Sequence, residues 1–257
     1  MGKIELSKRL SMVAGLVSDS KVVADIGCDH AYTSIYIVQN NLADKVIAMD
    51  VNKGPVEIAK KNIKLYGLDN LIDVRLSDGT EKLSKGEADT LLISGMGGGL
   101  TVKILSMRPE ILNGCKYLIL SPQSELFLVR QYLERVGFSI ICEDMVKDEG
   151  KFYVGIKALN TYYEKESEEI PGAGWGAGNS SDNGNISIYD RFGKHLLEHK
   201  NQVLKEYLEY SIQQNEEILH QLERAYKESK ADGINRRMDE IKQIIKDAKE
   251  GMEYYGM

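Results

Sequence analysis

The stretch Val22-Val23-Ala24-Asp25-Ile26-Gly27-Cys28-Asp29-His30-Ala31 decides the fold. Its β-branched start reads as a buried strand, its glycine as the entry to a loop, and residues 33–40 beyond it as a helix. The same alternation continues outward. Residues 45–50 predict a strand, and 55–66 a helix with Pro55 near its first turn and Gly67 as its stop. Strands follow at 72–76, 89–93 and 117–121, and helices at 101–106 and 124–136. Two last strands, 138–143 and 152–157, joined through a polar loop with Gly150, read as an antiparallel hairpin. In front of all this, Leu6, Leu10, Val13 and Val17 lay one apolar stripe along a helix. The result is an α/β fold: a doubly wound, mostly parallel sheet closed by a hairpin.

From residue 161 the composition changes. An acidic stretch runs into Pro171-Gly172-Ala173-Gly174-Trp175-Gly176-Ala177-Gly178, which cannot support a packed element. Beyond it Leu204, Leu208, Ile212, Asn215, Leu219, Leu222 and Tyr226, then Met238, Ile241, Ile245, Ala248 and Met252, follow coiled-coil spacing. A break at Ala231-Asp232-Gly233 lets the two helices fold back as an antiparallel pair. The expected organisation is an α/β domain at 1–160, a linker with an insertion at 161–195 and a helical coiled-coil domain at 196–257. Asn215 on the seam is either a register device or a solvated end of the contact.

Position gives the 25–31 loop its chemistry, because ligands of open α/β sheets bind where strands run into helices. A dinucleotide site needs Gly-x-Gly-x-x-Gly, whereas here Gly27 is followed by Cys28 and Asp29, and a pyrophosphate beside Asp25 and Asp29 is repelled. A ligand carrying an ammonium and a sulfonium fits, since carboxylates attract both, and S-adenosylmethionine is such a ligand. Asp50, ending the second strand beside Val51, can accept two ribose hydroxyls, and Asp78, in Ser77-Asp78-Gly79, can accept from an adenine amine. Each acid alone can equally be a helix cap; their joint placement points to one cofactor. Ser94-Gly95-Met96-Gly97-Gly98-Gly99 follows the fourth strand, where backbone approaches ligands closely, and it offers no side-chain acceptor for an exocyclic amine.

The combination Asp25-Ile26-Gly27-Cys28-Asp29-His30-Ala31-Tyr32, Ser77-Asp78-Gly79 and Gly95-Met96-Gly97-Gly98, behind Leu6-Ser7-Lys8-Arg9-Leu10, resembles the bacterial TrmK family, in order from Leu6 through Lys157. That resemblance implies a Rossmann-like class I methyltransferase domain followed by a helical coiled coil. It also implies transfer of a methyl group from S-adenosylmethionine to N1 of adenine at position 22 of tRNA. Cofactor contacts are then expected from Asp25, Gly27, Cys28, Asp29, Asp50, Val51, Ser77, Asp78, Gly79, Gly95 and Met96. Substrate contacts are expected from Lys8, Arg9, Tyr32, Gly97 and Gly98, with Lys8 and Arg9 on phosphates and Tyr32 stacking or packing. Asp29 and His30 are the catalytic candidates: Asp29 to stabilise the cationic product, bind the ammonium or cap the next helix, His30 to orient it or to bond within the turn. Methylation of another RNA, a small molecule or a protein, and a non-catalytic SAM- or RNA-binding module, are the competing readings.

Composition bounds these readings. The 257 residues are 42% hydrophobic and carry a formal charge of −6, which excludes the overall basic footprint of an architectural nucleic-acid binder. Residues 1–160 hold 20 basic and 20 acidic side chains, and 161–257 hold 13 and 19, so the excess acidity belongs to the second part. Tail contacts with RNA are therefore expected only at clusters such as Arg236-Arg237 and Lys242-Lys246. Three scattered cysteines suggest reduced thiols, and the lack of a long apolar run suggests a cytoplasmic protein without membrane contact. No metal is expected, and a monomer is. His195-Leu196-Leu197-Glu198-His199 formally matches a zinc pattern, but its place at the entry to the coiled coil argues for a solvated face.

Overall fold

The computed structural model describes residues 2–163, 186–229 and 232–256. They fall into two compact units, Met1–Asn185 and Ile186–Met257. In the first, strands β1 (Ser20–Ile26), β2 (Ala43–Asp50), β3 (Ile72–Leu76), β4 (Thr90–Ser94), β5 (Tyr117–Ser121), β6 (Phe138–Asp148) and β7 (Lys151–Asn160) form one sheet of order β3-β2-β1-β4-β5-β7-β6. Neighbours from β3 through β5 pair in parallel, and β7 runs antiparallel to both β5 and β6. This is the doubly wound sheet with a terminal hairpin that the alternation predicts.

Both faces of the inner strands β1, β2, β4 and β5 are largely buried, which is why these read as near-continuous apolar runs. Ala24, Ile26, Leu91, Ile93, Leu118 and Leu120 pack on one side, with α4 (Gly98–Met107), α5 (Pro109–Asn113) and α6 (Leu126–Arg135). The intervening Val23, Leu92 and Ile119 face the other side, where α1 (Lys8–Gly15), α2 (Tyr32–Gln39) and α3 (Lys53–Leu65) lie. Register aligns the strand ends: Ile26 pairs with Met49 and Ile93, Asp50 with Leu76, and Ser94 with Ser121. The loops that begin at Gly27, Val51, Ser77, Gly95 and Pro122 therefore line up along one edge.

The hairpin extends further than its sequence pattern suggests. A bulge between Ile140 and Cys142 shifts the alternation, leaving Ile141 and Cys142 exposed and turning Glu143 inward. There Glu143 Oε1 accepts from Arg130 Nε at 2.9 Å and lies 2.8 Å from its Nη2, a buried ion pair between β6 and α6. The far end of the hairpin holds α1. Asp148 Oδ2 accepts from the Arg9 N–H at 3.0 Å at the helix N-terminus, where Ser7 is the N-cap. Gly155 lets α1 come close, because a Cβ there would overlap Met12 Sδ and lie 2.7 Å from Leu16 Cδ1.

The second unit is helical. Its α9 (Gln202–Ser229) and α10 (Asp232–Glu253) run antiparallel: Tyr255 Oη donates to the Asn201 carbonyl at 2.7 Å, and Lys249 Nζ meets Glu216 Oε1 at 2.8 Å. The expected seam residues Leu204, Leu208, Met238, Ile241, Ile245, Ala248 and Met252 are buried. Asp232 and Gly233, expected in the break, belong to α10, and Ala231 lies outside the described residues. Asn215 donates back to the Ser211 carbonyl at 2.7 Å, so its amide is satisfied within its own helix. Residues 186–195, read as the end of a linker, instead form α7 (Ile188–Phe192) and the start of α8 (Lys194–Glu198). A capping box between Ser187 and Asp190 starts α7, and Arg191 pins it to Asp247 of α10 at 3.0 Å. The insertion around Trp175 lies outside the described residues. No helix among the described residues is long and apolar enough to cross a membrane.

The packing at Gly155 generates a stability test. Gly155→Ala is expected to cost about 1–3 kcal/mol in urea unfolding through overpacking. Gly54→Ala, in α3 with no atom within 4 Å of the added Cβ, is expected to be neutral or slightly stabilising. Equal midpoints for Gly155→Ala and wild type would show that α1 is not held by this approach.

Candidate active site

The aligned strand ends enclose a cavity of about 460 Å³, whose wall includes Asp25, Asp50 and Asp78 from the ends of β1, β2 and β3. Asp50 is the best anchored of the three. Its carboxylate accepts from the Asp29 N–H at 3.2 Å and the Asn52 N–H at 2.9 Å, and its carbonyl accepts from the Ser77 N–H at 2.9 Å. The Met49 carbonyl in turn accepts from both Gly27 and Cys28 at 2.8 and 2.9 Å. The end of β2 thus shapes the loop after β1. That loop needs the help, for Gly27, Asp29 and Ala31 all have left-handed φ of 74°, 49° and 61°. At Gly27 a Cβ would meet only Met96 Cε, the far end of a flexible side chain, so it is the left-handed φ that calls for glycine there.

Asp25 is fully buried and accepts from Ser34 Oγ at 2.6 Å. Burial pushes its carboxyl up to about 6, the Ser34 hydrogen bond opposes the shift and the nearby Asp50 adds to it. A buried acid beside a second acid, with no basic partner among the described residues, is a site short of positive charge, and a cationic ligand supplies it. The donor set therefore fits the ammonium and sulfonium of S-adenosylmethionine and disfavours a pyrophosphate. Ser94 Oγ, buried in the wall at the end of β4, has no hydrogen-bond partner among the described residues. Cys28 shares the wall, and its thiol is pushed well above its ordinary value by burial and by Asp25, Asp50 and Asp29. Ser77 closes its own turn, donating to the Gly79 carbonyl at 3.0 Å and accepting from the Lys82 N–H at 3.1 Å.

Gly27, Cys28, Asp29, His30, Tyr32, Val51, Ser77, Gly79, Gly95 and Met96 all line this cavity, as does Arg9. The Asp29 side chain is 74% exposed, and His30 Nε2 lies 3.5 Å from its Oδ1. Tyr32, itself exposed, meets the His30 ring edge-on at 5.7 Å between centroids. Arg9 stacks over Tyr153 of β7 at 5.2 Å, which steers its guanidinium toward Gly95. Three expected substrate residues are not in the wall. Lys8 is exposed one position along α1 from Arg9, and a helix turns successive side chains to different sides. Gly97 and Gly98 face the chain itself: the Gly98 N–H donates to the Ser124 carbonyl at 2.9 Å, and a Cβ on Gly98 would lie 2.5 Å from the Glu125 carbonyl oxygen. Their lack of side chains serves the packing of α4 against the 124–125 turn.

Leu10, Thr33, Asn52, Pro55, Leu100 and Gln123 also line the cavity and carry no motif of their own. In the second unit the His195 and His199 rings stack at 5.9 Å, and His199 Nδ1 lies 2.9 Å from the His195 carbonyl. Among the described residues no group of three or more His, Cys, Asp or Glu is placed to hold a metal.

Residues 6–156 match the model of a methyltransferase domain family. The tRNA (adenine(22)-N(1))-methyltransferase of Bacillus subtilis strain 168 is 40% identical over 153 residues, which is 60% of this chain and 64% of that protein. The alignment thus spans slightly less than two thirds of that curated relative. Among solved structures, the B. subtilis M1A22 tRNA methyltransferase TrmK is 30% identical with a TM-score of 0.76, covering 97% of this chain and 100% of that one. The M. capricolum TrmK, solved with its natural cofactor product S-adenosyl-homocysteine, is 27% identical with a TM-score of 0.75, covering 97% and 98%. With the methyltransferase model matched over more than half of its length and the B. subtilis structure covered end to end, the chain belongs to the TrmK family of Rossmann-like methyltransferases.

Proposed function

We propose that this protein transfers a methyl group from S-adenosylmethionine to N1 of adenine at position 22 of tRNA, in the cytoplasm. The observation that carries the reading is the set of three carboxylates, Asp25, Asp50 and Asp78, at the ends of three adjacent strands around one cavity. Their spacing along the sheet edge suits a cofactor with an amino-acid end, a ribose and a base. Asp25 attracts the cationic end, the anchored Asp50 accepts ribose hydroxyls, and Asp78 accepts from the adenine amine. Gly27 and Gly95 give the ligand close access to backbone. The B. subtilis and M. capricolum relatives support the activity by what they are named for.

The bound cofactor supplies a methyl carbon on a sulfonium, which the N1 lone pair of adenine takes as sulfur keeps the electrons of the broken bond. Adenine N1 is unprotonated near neutral pH, so the protein has no proton to remove and its residues act by placement. Arg9, held by Asp148 and Tyr153, contacts phosphate at the mouth, and Tyr32 covers a face of the base. The exposed carboxylate of Asp29 faces the positive charge that the base gains, with His30 beside it.

The direct test incubates the protein with labelled S-adenosylmethionine and unmodified tRNA carrying adenine or guanine at position 22, followed by nucleoside analysis. Label as N1-methyladenosine in the adenine tRNA alone is expected; label in neither RNA refutes the function, and N6-methyladenosine refutes the regiochemistry. Asp25 adds a pH signature. Ionised Asp25 is the form that attracts a cation, so cofactor affinity measured by calorimetry is expected to fall as pH drops through about 6. Because the folded-state value lies above the ordinary 3.8, ionisation costs the folded protein stability as pH rises from about 4 to about 6. Asp25→Asn is therefore expected to bind cofactor at least tenfold more weakly at pH 8, yet to be as stable as wild type or more so, by up to about 3 kcal/mol. Unchanged affinity in this variant would remove Asp25 from the site.

A further inference from the structure

Gln123 stands just beyond the C-terminal end of β5 in the cavity wall, and its side-chain amide makes no hydrogen bond to any described residue. The loops after β4 and β5 are fastened together beneath it: the Gly95 N–H donates to the Ser121 carbonyl at 3.1 Å, and the Gln123 N–H to the Met96 carbonyl at 2.8 Å. Gly95 has no side chain, and the point where its Cβ would stand is 3.5 Å from Arg9 Nη1 and 3.8 Å from Gln123 Nε2. A guanidinium and a carboxamide thus converge on one spot of the wall.

That spot lies on the half of the cleft that the three acids do not occupy. Asp25, Asp50 and Asp78 belong to the β1, β2 and β3 ends, which leaves the β4 and β5 ends for the methyl acceptor. The β4 loop, Gly95-Met96-Gly97-Gly98, has no side chain able to accept from an amine. Arg9 donates only. Tyr32 and Leu100, 43% and 48% exposed, offer apolar surface to the faces of a base. Gln123 brings both a donor and an acceptor to this side.

We propose, building on the reading of the site as an adenine N1-methyltransferase, that Gln123 identifies the target base by pairing with the N6 and N7 edge of adenine. N1 must keep its lone pair free to react, so a recognising group has to use another edge. A carboxamide matches that edge in both senses, accepting from the N6 amine and donating to N7. Guanine presents acceptors at O6 and N7, which sets its O6 against the amide oxygen. One side chain thereby both selects adenine over guanine and turns N1 toward the cofactor side of the cleft.

The test uses the full-length protein with two tRNAs, one with adenine at position 22 and one with 7-deazaadenine there. Wild type is expected to lose about 3- to 10-fold in kcat/KM on the 7-deaza RNA, the worth of the one hydrogen bond to N7. Gln123→Ala, which removes both bonds, is expected to lose about 10- to 100-fold on the adenine RNA, the range of one bidentate base contact, with no further loss on the 7-deaza RNA and unchanged cofactor affinity by calorimetry. Gln123→Glu, which keeps the acceptor and loses the donor, is likewise expected to ignore the 7-deaza change. Wild-type indifference to 7-deazaadenine, full activity of Gln123→Ala, or independent losses that multiply overturn the role of Gln123 while leaving the methyltransferase reading intact. Failure of wild type to methylate the adenine RNA at all overturns both. The wild-type comparison needs no variant, so it decides the matter even if a substitution disturbs folding.

Discussion

The carboxylate of Asp50 is the tie on which the cleft depends. It takes two backbone N–H groups, one from the loop after β1 and one from the turn after β2, and so fixes two strand ends against each other. The constraint matters because the β1 loop is a costly conformation. Ala31 sits in the left-handed region at about 1–2 kcal/mol, a cost glycine would avoid and that only surrounding bonds can sustain. Asp29 shares the conformation less expensively, since short polar residues tolerate it. The carbonyl of Met49 and the carboxylate of Asp50 together hold this loop, so that β2 acts as a template for it. Pre-setting the loop in this way spares a ligand the entropy of ordering it.

A second anchoring chain runs from the opposite side of the sheet. Asp148 and Gly155 lie on the hairpin, far in sequence from α1, yet they decide how closely that helix approaches and how its first turn begins. Tyr153 then sets the direction of Arg9. The hairpin is thus more than an edge closure for a parallel sheet. It carries the support for the side chain that reaches the cleft wall beside Gly95.

The parallel strands β1, β2, β4 and β5 were legible because they are largely buried on both faces, and burial writes itself as an apolar β-branched run. The acids were legible for a related reason: each falls within two residues of the end of such a run, where a strand passes into a loop. What stayed hidden depends on relations between segments. The five-residue helices α5 and α7 are too short to show a period, and the full length of β6 is set by a bulge that turns Glu143 toward Arg130. Gly97 and Gly98 suggested ligand contact because close approach and glycine go together, but here the approach is to the chain's own 124–125 turn. Gln123 gave no signal at all, since an amide after Ser121-Pro122 is ordinary in a loop and gains meaning only from the neighbouring β4 end. The helical seam was legible throughout α10, where one apolar stripe at regular spacing is buried.

Cys28 shows a further effect of the acids. Thiols attack electrophilic carbon as thiolates, and Asp25, Asp50 and Asp29 all oppose loss of the Cys28 proton, together with burial. A sulfur held in its protonated form is a poor competitor for an activated methyl group. The charge arrangement suited to drawing in an alkylating cofactor therefore also protects the pocket from alkylating itself.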